Sequence, residues 1–259
     1  MVAFSPDGKT LATADRNGSA YLWSSTGHGI TATLADPRGK GAESVAFSPD
    51  SQTLAVGDDN GHAYLWSTAS HAITATLANP AGGGVGPVAF SPDGKMLATA
   101  DEALPSFVGT IYLWNLASRK VIATLTDPHS QGVNSVAFSP DGKTLATADI
   151  NGKTYMWNTV THRITATLTD PYAGINWVAF SPDGKTLVTT VWPSEKAVTG
   201  SKGSIGYLWN IASRRVIGTV SDPGGQEERD ATFSPDGKTL ATADDNGSAY
   251  LWGVTQGGG

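Results

Sequence analysis

The 259-residue chain has no cysteine, which rules out disulfides and thiolate metal sites while leaving the redox compartment open. Charge is scarce too. Charged residues make up 15% of the chain, and 17 Lys and Arg stand against 23 Asp and Glu for a net charge of −6. A chain so short of basic stripes is not built for general phosphate-backbone binding, so no nucleic-acid partner is expected. No apolar run reaches the length of a membrane span, so no membrane partner is expected either. No signal peptide is visible, because Met1 is followed at once by a strand-like Val2-Ala3-Phe4. These absences together fit a cytoplasmic protein. No segment carries a 3.6-residue apolar period, and almost no helix is predicted.

The usual chemical signatures are also missing. The five histidines, His28, His62, His71, His129 and His162, include no pair at helical metal-ligand spacing. There is no Gly-x-Ser-x-Gly elbow and no phosphate-binding glycine loop. No catalytic residue, no metal and no cofactor is expected, and the chain reads as a non-enzyme.

Glycine is plentiful, at 31 residues, and so is internal repetition. The stretch from Val136 to Asp149, followed by Asn151-Gly152 and Tyr155-Met156-Trp157, recurs six times. Its phenylalanines are Phe4, Phe47, Phe90, Phe138, Phe180 and Phe233, spaced by 43, 43, 48, 42 and 53 residues. The paired tryptophans are Trp23, Trp66, Trp114, Trp157, Trp209 and Trp252. A period in the forties points to a solenoid or a propeller.

Each unit contains four short segments rich in β-branched and aromatic residues. In the fourth unit these are 135–138, 144–148, 153–157 and 163–168. Ser139-Pro140-Asp141-Gly142 suits a type I turn closed by a left-handed glycine, and Asn151-Gly152 signals a hairpin. The result is a four-stranded meander that cannot bury both faces alone, so copies must stack radially.

The pattern V-A-F-S-P-D-G-K-x-L-A-T-x-D-x-N-G-x-x-Y-L-W resembles the WD-repeat β-propeller family, including propeller domains of bacterial multidomain proteins such as those linked to serine/threonine kinases. The resemblance implies an all-β, six-bladed propeller and a scaffold function. The Asp that follows Trp in the family is replaced by Ser24, Ser67, Asn115, Asn158, Asn210 and Gly253. An Asp-Pro or Asn-Pro pair stands where a Gly-His pair is expected, and only His129 falls near the family's His. The family's buried Trp–Ser/Thr–His–Asp network is therefore not expected intact, although Thr13, Thr147 and their equivalents can still accept the indole N–H.

One domain over 1–259 is expected, with blades at 1–35, 43–78, 86–126, 134–169, 176–221 and 229–253 and a glycine-rich tail at 254–259. Ile30, Ile73 and Ile164 open the fourth strand 26 residues after their Phe, which in the last unit falls on Gly259. The sixth blade is therefore expected to lack its outer strand. Three alternatives stay open: a ring with one three-stranded blade, a piece of a longer propeller, or a strand supplied by a partner at the edge Ser248–Trp252, which would allow self-association.

In a meander the first and third connections lie on one rim, while the second connection and the interblade link lie on the other. The first rim is monotonous. The second carries all the variation, including long loops at 102–109 and 191–202. Loops on a rigid scaffold are the usual seat of binding residues. A protein or peptide partner is expected there, with Phe107, His129, Tyr172, Trp177, Trp192, Glu195, Lys196, Glu227 and Arg229 as candidate contacts. The alternatives are a small-molecule or enzymatic pocket beneath those loops, or a purely structural or engineered repeat unit. The acids that end the second strands, Asp15, Asp58, Asp101, Asp149 and Asp244, could ring a cation, but capping of their own turns is the simpler expectation.

Overall fold

A computed structural model describes residues 1–15, 17–38, 41–101, 109–127, 132–170, 174–191, 205–221, 228–244 and 248–254. Its 23 strands form six antiparallel meander sheets, and no helix occurs among the described residues. Five sheets have four strands: β1–β4 (Val2–Ala35), β5–β8 (Ala42–Ala78), β9–β12 (Val85–Thr126), β13–β16 (Val133–Thr169) and β17–β20 (Ile175–Ser221). The sixth, β21–β23 (Glu228–Gly253), has three. This is the blade set of a six-bladed propeller, with the last blade three-stranded as the strand count predicts. First strands start up to two residues earlier than the apolar pattern suggests, as with Val133–Phe138 against 135–138. Contacts group the chain into two compact units, Met1–Val133 and Asn134–Gly259.

The Ser-Pro-Asp-Gly turn explains why every first hairpin is alike. In Ser139–Gly142, Ser139 Oγ donates to Asp141 Oδ1 at 2.7 Å, and the same oxygen accepts the Lys143 amide at 3.1 Å. Ser139 Oγ in turn accepts the Thr144 amide. Gly142 closes the turn with φ at 70°, and Gly8, Gly94, Gly184 and Gly237 match it. In the second blade Ser51 takes this left-handed position at φ 61°, a conformation that favours glycine. Its hydroxyl accepts the Asp7 amide of the neighbouring blade.

A second regularity lies at the outer edge. The third and fourth strands slip register between Leu22 and Trp23, and again at 65/66, 113/114, 156/157 and 208/209. Each slip leaves one fourth-strand residue unpaired in the ladder. In three blades that residue is a threonine whose hydroxyl donates back to the third strand: Thr31 to Leu22 O, Thr74 to Leu65 O and Thr165 to Met156 O.

Alternation along each strand gives every blade two different apolar faces. One is small and aliphatic, the other aromatic. In unit 1, Ala12, Ala20, Leu22 and Leu34 of the first blade pack with Val45, Phe47, Tyr64 and Trp66 of the second. Ala55, Ala63, Leu65 and Ala75 of the second meet Val88, Tyr112 and Trp114 of the third. In unit 2, Ala146, Ala148 and Met156 meet Val178, Tyr207 and Trp209, and Val188 and Val220 meet Ala231, Phe233 and Trp252. Second-strand leucines at 54, 97, 145, 187 and 240 are wholly buried, each contributing about 2 kcal/mol of hydrophobic stabilisation.

The second and third blades come into tight contact at Gly57. A Cβ there would lie 2.8 Å from Gly86 O, Val85 O and Ser44 Oγ, while Ser44 Oγ donates to Gly86 O at 2.5 Å across the junction. Two of the three obstacles are backbone and cannot swing away. Gly57→Ala should therefore destabilise the chain by ~1–3 kcal/mol, as overpacking does. Gly253→Ala, where a Cβ meets nothing within 4 Å, should change stability far less. Urea denaturation followed by circular dichroism measures both.

Candidate interaction rim

On the second rim, hairpin and link are tied together in each unit. The Asp36 amide donates to Gly18 O and the Asn79 amide to Gly61 O; in unit 2 the Asp170 amide donates to Gly152 O. Gly18, Gly61 and Gly152 hold φ of 96°, 82° and 82°, as the Asn-Gly hairpin signal predicts. The second connection and the link therefore share one rim. On the other rim, the third connections place His28, His71, Arg119, His162 and Arg214 at equivalent left-handed positions. Arg214 reaches back to Thr165 O of the preceding blade at 3.1 Å.

The acids that end the second strands cap their own turns. Asp15 Oδ1 accepts the Asn17 amide, Asp58 Oδ1 accepts those of Asn60 and His62, and Asp149 Oδ1 accepts that of Asn151. Asp101 differs because the long loop at 102–109 replaces its hairpin. Its carboxylate is hydrogen-bonded by the Asn79 side-chain amide and by the Tyr112 hydroxyl. Among the described residues, no three His, Asp or Glu side chains cluster as metal ligands would. Burial is the surprise: Asp58, Asp101 and Asp149 are nearly or wholly inaccessible.

Burial perturbs the first two of these. Desolvation raises the Asp58 carboxyl above its ordinary range, opposed by the His62 amide and reinforced by the Asp36 charge. Desolvation takes Asp101 up to about 6 against the bonds from Asn79 and Tyr112. Tyr64 is pushed up to about 12 by burial and by the charges of Asp58 and Asp36. The turn acids of the first rim go the other way. Asp7, Asp50, Asp93, Asp141, Asp183 and Asp236 are lowered, first by the serine hydroxyl and then by a backbone amide.

Between the rims runs an indole bond. Trp23, Trp114, Trp157, Trp209 and Trp252 each donate Nε1 to a second-strand threonine, Thr13, Thr99, Thr147, Thr189 and Thr242, at 2.9–3.1 Å. The second blade has Val56 at that place, opposite Tyr64. In the fifth blade the chain extends one step further: Thr189 Oγ1 donates to buried Asp170 Oδ1 at 3.2 Å. This carboxylate comes from the Asp-Pro pair of the link. The sequence signal for it was that pair, which replaces the expected Gly-His.

The candidate contacts fall unevenly on the described chain. Trp177 lies in β17, half-buried, with its ring on the cluster of Val188, Val220, Ala231 and Leu240. Arg229 sits in β21. Phe107, His129, Tyr172, Trp192, Glu195, Lys196 and Glu227 lie outside the described residues.

A family model described as "WD domain, G-beta repeat" matches residues 1–24, 26–67, 119–158, 162–210 and 229–253. The chain is a WD40-repeat protein. No curated protein matches it. Residues 68–118 fall outside the WD40 matches, yet there the same meander continues through β8 to β11. In five of the six WD40 blades a second-strand threonine accepts the indole N–H. No helix of the described residues is long and apolar enough to cross a membrane.

Asp170 supplies a pH test. Burial raises it to about 7, so the folded chain holds this proton more tightly than the unfolded chain. Its contribution to stability is fully present below about pH 4 and is lost as pH rises through about 7. Asp170→Asn should remove that decline. The difference in melting temperature between wild type and D170N should therefore change between pH 4 and 8; a difference that stays constant contradicts the assignment.

Proposed function

We propose that this WD40 chain is a non-catalytic scaffold that binds a protein or peptide on the rim formed by the interblade links and the loops at 102–109 and 191–202. One observation carries the reading. On the first rim the same serine, aspartate and backbone groups saturate one another in all six blades, leaving little blade-to-blade difference for a partner to read. On the second rim each described blade solves its polar contacts differently. Asn60 reaches Asp36, Asn79 reaches Asp101 and Gly83 O, and Thr189 reaches Asp170. Variation on a common frame is how repeat proteins acquire a specific surface. WD40 propellers commonly serve as interaction scaffolds, which agrees with this reading.

Four of the nine candidate contacts, Phe107, Tyr172, Trp177 and Trp192, are aromatic, and aromatics anchor interfaces. Trp192 and Tyr172 lead, with Trp177, Phe107, His129, Glu195, Lys196, Glu227 and Arg229 around them. A pocket enzyme would need a deep cavity with acids of raised pKa converging on it. Two hollows among the described residues, of about 330 and 590 Å³, are lined by Asp50 and Asp93 or by Asp15, and not by Asp58, Asp101 or Asp170. That distribution favours the scaffold.

Trp192→Glu should abolish capture of the bound partner from the native source and leave the melting temperature unchanged. Lys143→Glu, an exposed charge on the first rim, should leave capture intact. Capture that survives W192E overturns the rim assignment.

A further inference from the structure

One hollow of the first rim lies wholly within the first unit, between the second and third blades. Its volume is about 330 Å³, at the lower end for small-molecule sites. Leu65 and Ala75 of the second blade and Phe90 and Leu116 of the third supply its apolar walls. Asp50 and Arg119 line it too, one from each blade.

Both charges lack the partner that the repeat gives their counterparts. Lys9 Nζ stands 3.8 Å from Asp7 Oδ2, Lys95 Nζ 3.9 Å from Asp93 Oδ2 and Lys143 Nζ 3.8 Å from Asp141 Oδ2. In the second blade Gln52 takes the lysine's place. Asp50 Oδ1 keeps its turn bonds from the Ser48 hydroxyl and the Gln52 amide, but no cation of the described residues stands beside it. Arg119 is alone in the same way. Its counterpart in the fifth blade, Arg214, has the same left-handed φ of 56° and donates to Thr165 O of the preceding blade at 3.1 Å. Thr74 is the residue matching Thr165, since both hydroxyls donate back to the third strand, yet Arg119 makes no bond to it.

We infer that this hollow binds a free α-amino acid with an apolar side chain, its ammonium on Asp50 and its carboxylate on Arg119. A zwitterion answers two opposite unpaired charges at once, and a guanidinium takes a carboxylate on two parallel bonds. The apolar side chain then covers Leu65, Phe90 and Leu116. Asp93, the other acid of the hollow, is already accompanied by Lys95. The site includes no loop of the second rim, so it stands apart from the scaffold reading.

Amide NMR of the full chain titrated with L-leucine tests it. Leucine should shift the signals of Gln52 and Arg119 saturably, with a dissociation constant on the order of 1 mM. Leucinamide and isocaproate each lack one of the two charges and should bind ~5-fold or more weakly. Asp50→Asn keeps the turn's acceptor oxygen and Arg119→Gln changes an exposed side chain, so both should fold and both should weaken leucine binding by a similar factor. Gln52→Lys alters neither contact residue and restores the repeat's own turn; its ammonium should pair with Asp50 and weaken leucine binding as well. Arg214→Gln, at a junction whose arginine is already engaged, should leave binding unchanged. The absence of a saturable shift up to ~20 mM leucine, equal binding of either one-charge analogue, a Q52K chain that binds as the wild type does, or a loss of binding in R214Q overturns the inference.

Discussion

A four-stranded meander whose two faces are both apolar cannot stand alone in water, and this constraint governs the whole chain. It explains the division of labour within each blade, where small aliphatic residues point one way and aromatics the other. Alanine at the second and third strands lets a neighbouring tryptophan approach closely, and the tryptophan needs a polar partner once buried. Threonine on the second strand meets that need at 2.9–3.1 Å in five of six blades. In the fifth blade Asp170 carries the relay one step further.

The fold was legible because its signals are local and repeated. Ser-Pro-Asp-Gly, Asn-Gly and the strict Phe-to-Trp spacing each specify a turn or a strand without reference to distant residues. The missing fourth strand of the last blade followed from counting alone. What the sequence hid depends on neighbours in space. Asp58 and Asp149 carry the Asp-x-Asn-Gly signature of surface turns, yet both are fully buried. Nothing in their local sequence reports that burial. Likewise Gly57 looks like a small variation on alanine, and only the approach of Gly86 O across the junction makes it obligatory.

The candidate rim was legible in a different sense. Comparison among the six copies located where the chain departs from its own rule, and the departures at Asp101, Asn79 and Asp170 do reorganise the hydrogen bonding. Trp177 shows the limit of reading aromatics as free surface. Strand alternation places it on the face that meets the next blade, so part of its ring belongs to the core.

The Ser-Pro-Asp-Gly turn carries a kinetic consequence. The bonds that shape it close within six residues, as between Ser139 and Thr144. Short loops pay little closure entropy and form within about 1–10 µs. Six such hairpins can therefore set register before any blade meets another. The slow step of folding is left to the junctions, whose contacts span about forty residues. The monotony of the first rim is then a device for assembly order: it gives every blade the same early nucleus and leaves the other rim free to vary without disturbing how the chain folds.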